Sequence, residues 1–521
     1  MSISADLGLI RREWNEEIDK RRNFNNIRRA FDTSKKGKYT LDDQTWDDLD
    51  MNKVYEKLDR SYSSLGEAGL YSMLRNPLMD NEKLKHRDNV LETFKNDSNL
   101  REKIQCIFYK MGSDHKNYFL DMMESELVVN KFKYYLYTFI GKICPIICTI
   151  FIILYGQDYA VGLLTLTAIN IFINYRERNT IKSRGIIYLR SIIKSAKLIA
   201  AIKSDDINEY TDKIKANIGQ VKDIDRNTML IGFTNMWLGF FEFVSTIFLV
   251  EECAYYKVSS VLKQKKQYIM NIYDTLGELE ALISIAGYQN NLKHPFVKPR
   301  FIKEAAINIK DGTHPLISKP VANSIRMKSK GIVLTGTNMS GKSTFLRMLG
   351  INILLAQTFN FVLAKDYEAG FFNIVASISP NDDLSEGKSY YMAEAESILR
   401  IVEAMGNDVP VFCPIDEIFR GTNPIERIAM SAEILSYLNN GKTISIVATH
   451  DRELADILKD TNEFYYFSED VDNKKGLSFD YKLKPGISQT RNAIRLLEYI
   501  GYPKEITKKA FKRAETIEGF I

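Results

Sequence analysis

Three hydrophobic patterns succeed one another along the 521 residues. Residues 1–45 are rich in Arg, Lys, Asp, Glu and Asn, with little beyond Trp14 to bury. This pattern predicts a charged helix around Ile10 to Phe31 and a Lys/Gly/Ser linker over Thr33 to Lys38. From Thr45 to about Met123, Val54, Leu58, Leu65, Leu70, Leu74, Leu84, Val90, Leu91 and Phe94 recur at helical intervals. Pro77 breaks the series, and Asp80 is placed to cap the helix after it. Residues 46–130 therefore read as an all-helical core unit.

The second pattern, over 131–252, is a helical insertion carrying three apolar runs. Tyr134 to Tyr155 is interrupted only by Lys142, and Tyr159 to Ile173 follows the polar turn Gly156-Gln157-Asp158. A bilayer-spanning helix needs about 20 mainly apolar residues. The first run has that length; the second reaches it only with flanks that include Asn170 and Asn174. A transmembrane hairpin over 134–175 is the expectation, and a buried helix pair in a soluble domain is the alternative. Lys131 and Lys133 precede it, and Arg176, Arg178, Lys182 and Arg184 follow, so the positive-inside rule puts both ends in the cytoplasm. A third run, Met229 to Val250, carries Phe240, Phe241, Phe243 and a single Glu242. One crossing there would put the rest of the chain across the membrane from residues 45–123. Interfacial, re-entrant, short-hairpin and buried placements stay open for 229–250. Between the runs, Ile186 to Ile202 is an amphipathic basic helix, suited to a membrane surface or to packing on a neighbour.

The third pattern begins with a long helix, Cys253 to Tyr288, with an apolar stripe of Leu276, Leu279, Leu282, Ile283 and Ala286. Residues 253–300 read as the return of the helical core. After Pro295 and Pro299 the pattern turns to α/β over 301–480, with a helical tail over 481–521.

Within the α/β part, Gly331 to Thr335 is an apolar strand and Phe345, Leu346 and Leu349 mark an apolar helix. Between them, Gly336-Thr337-Asn338-Met339-Ser340-Gly341-Lys342-Ser343 fits the G-x-x-x-x-G-K-[ST] phosphate loop. Its glycines let successive N–H groups turn inward on anionic oxygens, and the helix start adds positive potential. Lys342 serves the outer phosphates; Ser343, followed by Thr344, offers a hydroxyl to Mg²⁺. Val411 to Glu417 is a strand ending in two acids, expected beside that loop. Asp416 would hold Mg²⁺ through its water shell, and Glu417 would orient or deprotonate the attacking water. Pro414 conflicts with a central strand, since it lacks a donor. A further strand, Thr443 to Ala448, ends at Thr449-His450. His450 there suits a γ-phosphate or the water, though a lone His also serves structure. Ser385-Glu386-Gly387-Lys388-Ser389 precedes a helix starting near Tyr390 and makes a second anion-binding design, closing on another subunit's nucleotide or simply capping a helix.

The net charge of +5 neither identifies nor excludes a nucleic-acid binder. The five cysteines form no metal or redox spacing, which favours reduced, buried thiols. The polar start, Met1 to Asn26, is not expected to be a secretory signal.

Thr337 to Thr344, Asp382 to Ser389, Asp416-Glu417-Ile418-Phe419-Arg420-Gly421-Thr422 and Ala448-Thr449-His450 stand in the order and spacing of the MutS ATPase domain, which this sequence resembles. Asp311-Gly312-Thr313-His314-Pro315-Leu316 is similar to the segment that opens that domain. Leu65-Gly66-Glu67, Pro77-Leu78 and Arg87 resemble the start of the family's helical core, Glu278 to Leu282 its end, and Gly501 to Ile506 its dimerisation tail. The resemblance implies an ABC-type P-loop ATPase using ATP and Mg²⁺. It implies a homodimer with composite sites, where Ser385, Gly387 and Ser389 act in trans, and it makes DNA a partner by family. The family's mismatch-reading and connector domains have no counterpart here, and the apolar helices stand where it inserts a DNA clamp. Thr337 replaces a usual Pro and Ser340 a usual Gly. A membrane-associated subgroup is therefore expected, at the cell membrane with its ATPase domain cytoplasmic. An ABC-like motor or scaffold acting in the membrane without nucleic acid is the alternative.

Overall fold

The computed structural model describes residues 3–517 except 17, 19, 35, 125–129, 182–183, 232–239, 329, 338–339, 380–389, 421, 440–441, 452, 473–475 and 488–492. The chain forms two compact units, each assembled from separated segments. The first comprises Met1–Lys35, Asp59–Ser72 and Asn89–Asn291; the second comprises Lys36–Leu58, Met73–Asp88 and Leu292–Ile521. The helical stretch 46–130, expected as one core unit, is thus shared between both.

The first unit is helical. Its axis is a 41-residue helix, Val250–Asn290, whose stripe Leu276, Leu279, Leu282, Ile283 and Ala286 is buried. The expected single N-terminal helix is two, Ile3–Asn15 and Phe24–Thr33, because the polar stretch between them offers only Ile18 to continue a buried face. These helices also bury more than their composition suggested: Ile10, Trp14, Ile27, Ala30 and Phe31 are all in the core. Trp14 owes its burial to the Arg101 guanidinium, 3.8 Å over its ring. The basic helix Arg184–Ala200 takes the packed alternative, burying Ile186, Leu189, Ile192, Ile193, Ala196 and Ile199.

The apolar hairpin is present as two helical arms. Lys131–Thr138 runs through a π turn, Phe139–Ile143, into Cys144–Tyr155; after Gly156 the second arm is Ala160–Ile181. Gly141 in the π turn lies where a Cβ would meet the Phe248 carbonyl at 2.5 Å, so only glycine allows that approach. Among the described residues, one helix is long and apolar enough to cross a membrane, Lys131–Tyr155. The 229–250 run is not one helix: Lys222–Leu230 ends it on one side, and Phe240–Ile247 stops before Leu249, which has φ 47°. Residues 232–239 lie outside the described ones.

The second unit holds two sheets. A six-stranded sheet has the order β10-β9-β4-β8-β7-β6, from β4 (Gly331–Thr335), β6 (Asn373–Ile374), β7 (Val411–Asp416), β8 (Thr443–Thr449), β9 (Asn462–Asp472) and β10 (Gly476–Pro485). All neighbours are parallel except β9 and β10. Every residue of β4, β7 and β8 is buried, as expected of parallel strands covered on both faces. A smaller sheet has the order β1-β5-β2-β3, from β1 (Arg300–Phe301), β2 (Ile307–Gly312), β3 (Asn323–Met327) and β5 (Asp366–Ala369). Pro414 is tolerated in β7 because its missing donor faces the short edge segment, not β8. The carbonyls of Phe412 and Pro414 both accept from that side, from the amides of Val375 and Ser377 at 3.1 and 3.0 Å.

Candidate functional site

The site lies at the carboxyl ends of β4, β8 and β7. At the tip of β4 the chain turns at Gly336 (φ 145°) and Gly341 (φ 105°), conformations that favour glycine, and the helix Lys342–Phe359 begins. Lys342 is buried and folds back over the loop, donating to the carbonyls of Gly336 and Thr337 at 2.7 and 2.9 Å. Ser340 is buried, and among the described residues nothing bonds its Oγ. Thr344 is exposed on the first turn of the helix. Asn338 and Met339 lie outside the described residues, as do Ser385, Gly387 and Ser389, although the helix Tyr390–Ala404 follows where expected.

The acid-tipped strand is not directly beside the phosphate loop: β8 lies between β4 and β7. The side chains bridge the gap, and Ser343 Oγ donates to Asp416 Oδ2. Beyond Asp416 the chain leaves the strand abruptly. Glu417 holds φ 57° while its amide still donates to the Ala448 carbonyl at 2.8 Å. His450, at the tip of β8, lies with Nε2 3.0 Å from Glu417 Oε1. Burial pushes the Glu417 carboxyl up, but the His450 hydrogen bond and the Arg420 charge outweigh it and hold the carboxyl below its ordinary range.

Lys342, Ser343, Asp416 and Glu417 line a cavity of about 1000 Å³, within the size range of small-molecule sites, and His450 joins them through its contact with Glu417. Its walls also include His314, Ile317, Arg347, Arg420, Phe467 and Tyr481. His314 accepts the Leu316 amide at Nδ1, 3.2 Å, and burial next to Arg347 pushes it down to about 4, so it is neutral at pH 7. Arg420 and Arg427 had no assigned role in the sequence reading. Arg427, on the helix Pro424–Asn439, grips Asp451 (Nε to Oδ2, 2.9 Å) and so fixes the chain just after His450. A signal existed only for Arg420, three residues after the second acid.

The donor set fits the expected groups. The Ser343 hydroxyl and the Asp416 carboxylate suit a hard cation such as Mg²⁺, and Lys342 at the start of the helix suits phosphate. Among the described residues there is no cluster of three or more His, Cys, Asp or Glu side chains that could hold a metal.

A glycine-turned loop at a parallel strand tip, a helix behind it and an acid reaching its serine define an ATPase-type nucleotide-binding domain. The sequence model described as MutS domain V matches residues 332–518. The chain is a MutS-like protein. It is 30% identical over 240 residues to the DNA mismatch repair protein MutS of Thermus thermophilus, covering 45% of this chain and 29% of that protein. It is 29% identical over 266 residues to that of Thermus aquaticus, covering 50% and 32%. With that of Fusobacterium nucleatum it shares 24% identity over 546 aligned positions, covering 89% of this chain and 57% of the other. The chain therefore spans between about a third and somewhat over half of these relatives.

Proposed function

We propose that this chain binds and hydrolyses ATP with Mg²⁺ at composite sites of a homodimer, anchored in the cell membrane with its ATPase domain cytoplasmic, and couples that cycle to holding DNA without the usual mismatch-reading domain. The observation that carries the ATPase reading is that Lys342, Ser343, Asp416 and Glu417 line one cavity, with His450 held against Glu417. Lys342 would leave the two loop carbonyls for the outer phosphates. Ser343 and Asp416 would hold the cation, which supplies charge neutralisation on the phosphate oxygens when bound. Glu417 would orient the attacking water and receive its proton, and His450 would keep the carboxylate aimed. Ser385, Gly387 and Ser389 of a second subunit would close on the same nucleotide. DNA comes from the named relatives alone; the membrane reading is supported by the exposed apolar hairpin.

The test is Glu417→Gln in the purified full chain. It should bind ATP as the wild type does, lose turnover by at least about a hundredfold and accumulate as an ATP-bound dimer on size-exclusion chromatography. Wild-type turnover would remove Glu417 from this role. DNA coupling is tested by titrating duplex, branched and single-stranded DNA at low salt, where phosphate contacts are strongest, with and without ATP. Turnover that responds to lipid while DNA neither binds nor stimulates it would replace DNA holding with a membrane motor.

A further inference from the structure

Glu417 must accept a proton in the proposed reaction, yet both its carboxylate oxygens are engaged. His450 holds Oε1, and Arg420 Nε lies 2.5 Å from Oε2. The same guanidinium donates from Nη2 to the Asp416 carbonyl at 3.3 Å, with Asp416 Oδ2 at 3.9 Å. A carboxylate with both oxygens held has neither free to meet the attacking water. The other charges around it are Lys342 on the phosphate helix and Arg427 on the helix Pro424–Asn439.

Arg420 is 41% exposed at its side chain and lines the cavity that also contains Lys342 and Ser343. Its planar fork matches phosphoryl oxygens as well as it matches a carboxylate. The backbone beneath it is strained: Glu417 and Phe419 hold φ 57° and 58°, a region unfavourable for side chains of their size. Such a segment keeps its shape through its contacts, and a competing anion for Arg420 would release one of them.

We infer that Arg420 is a catch on Glu417: it clasps the carboxylate in the arrangement seen here and exchanges it for the terminal phosphoryl group of a nucleoside triphosphate. The released Glu417 oxygen then takes a proton from the attacking water. The water oxygen bonds to the terminal phosphorus, the bond from that phosphorus to the bridging oxygen breaks, and the electron pair leaves on the diphosphate. A diphosphate has no terminal group of this kind and leaves the catch closed. Arg420 is thus a positioning residue that senses the third phosphate. The inference rests on the ATPase reading of the same site.

The experiment compares wild type, Arg420→Gln and Arg420→Lys in the full chain. Binding is measured with a non-hydrolysable ATP analogue and with ADP, and kcat and KM for ATP are determined separately. Arg420→Gln should weaken analogue binding roughly tenfold, the scale of a charge-assisted hydrogen bond, and leave ADP within about twofold. Its KM for ATP should rise in step with the lost analogue affinity, because the third phosphate has lost its partner. Arg420→Lys, with charge but no fork, should fall between the two, and it carries the same comparison if the glutamine variant folds poorly. Equal weakening of both nucleotides, or no weakening of either, overturns the catch. Wild-type protein that binds neither nucleotide overturns the site reading, and the catch with it.

Discussion

Glu280 shows what a single buried acid costs this fold. It lies in the long helix of the helical unit, 2% exposed, accepting from the Tyr62 amide at 2.6 Å and from Ser63 Oγ. Burial pushes its carboxyl from the ordinary 4.5 up to about 8, against the opposing pull of those two hydrogen bonds. The folded state therefore holds the proton more tightly than the unfolded chain. The stability Glu280 contributes is complete below its ordinary value and is lost as pH rises toward about 8. The thermal midpoint of the wild type should fall between about pH 5 and about pH 8, and Glu280→Gln should flatten that decline. A wild-type midpoint constant across this window would remove Glu280 as its source. None of this could be read from Glu278 to Leu282 alone, because the hydrogen-bonding partners lie more than two hundred residues away. Lys342, Ser343, Asp416, Glu417 and His450 were legible for the opposite reason: their roles follow from local spacing and strand ends. Lys342→Ala should abolish detectable ATP binding in a filter or calorimetric assay; unchanged affinity would refute the phosphate-loop assignment.

Helices are legible from periodicity, but the surfaces on which they meet are not. The helix Ser64–Arg75 crosses Val250–Asn290 backbone to backbone. A Cβ on Gly69 would lie 2.4 Å from the Gly277 carbonyl carbon, and one on Gly277 would lie 2.5 Å from the Leu65 carbonyl oxygen. Nearby, a Cβ on Gly66 would fall on the Glu280 carboxylate. Leu65-Gly66-Glu67 and Glu278 to Leu282, the two ends of the family-like core segments, thus close on each other. Gly277→Ala improves helix propensity yet forces the helices apart. We expect net destabilisation of about 1–3 kcal/mol in urea unfolding, the range for overpacked cores. A neutral or stabilising result would show that this crossing has slack. The same limit explains 229–250. Its composition fits one long apolar helix, but the left-handed Leu249 is set by tertiary contact, with the Ile247 carbonyl taken by Asn170 Nδ2 at 2.6 Å.

At the scale of the molecule, the chain supplies two units from interleaved segments, and the helical unit carries an apolar surface that none of its described residues covers. The Lys131–Tyr155 arm has a mean hydropathy of 2.1 over its most apolar stretch, of which 17% is buried. Its 25 residues make about 37 Å of helix, against roughly 30 Å of bilayer hydrocarbon. Ile146, Ile153, Leu154, Leu164 and Phe172 all point outward from the two arms. Polar groups concentrate at the base of the hairpin, where Lys133 pairs with Glu177 at 2.6 Å and Asn174 Nδ2 donates to Glu252 at 2.7 Å. A soluble helix pair would show a polar outer face; here that face is apolar and the polar groups are packed inside, which suits lipid. The wild type should float with anionic liposomes and resist extraction by high salt. Ile150→Asp with Ile153→Asp places two carboxylates at positions 47% and 77% exposed, each costing about 2.5–3.5 kcal/mol at the centre of a bilayer. That variant should stay in the soluble fraction with ATP binding intact, since both changes lie in the helical unit and the nucleotide cavity in the other. A wild-type protein that remains soluble at high salt without detergent would refute the membrane anchor and assign the apolar face to a protein partner.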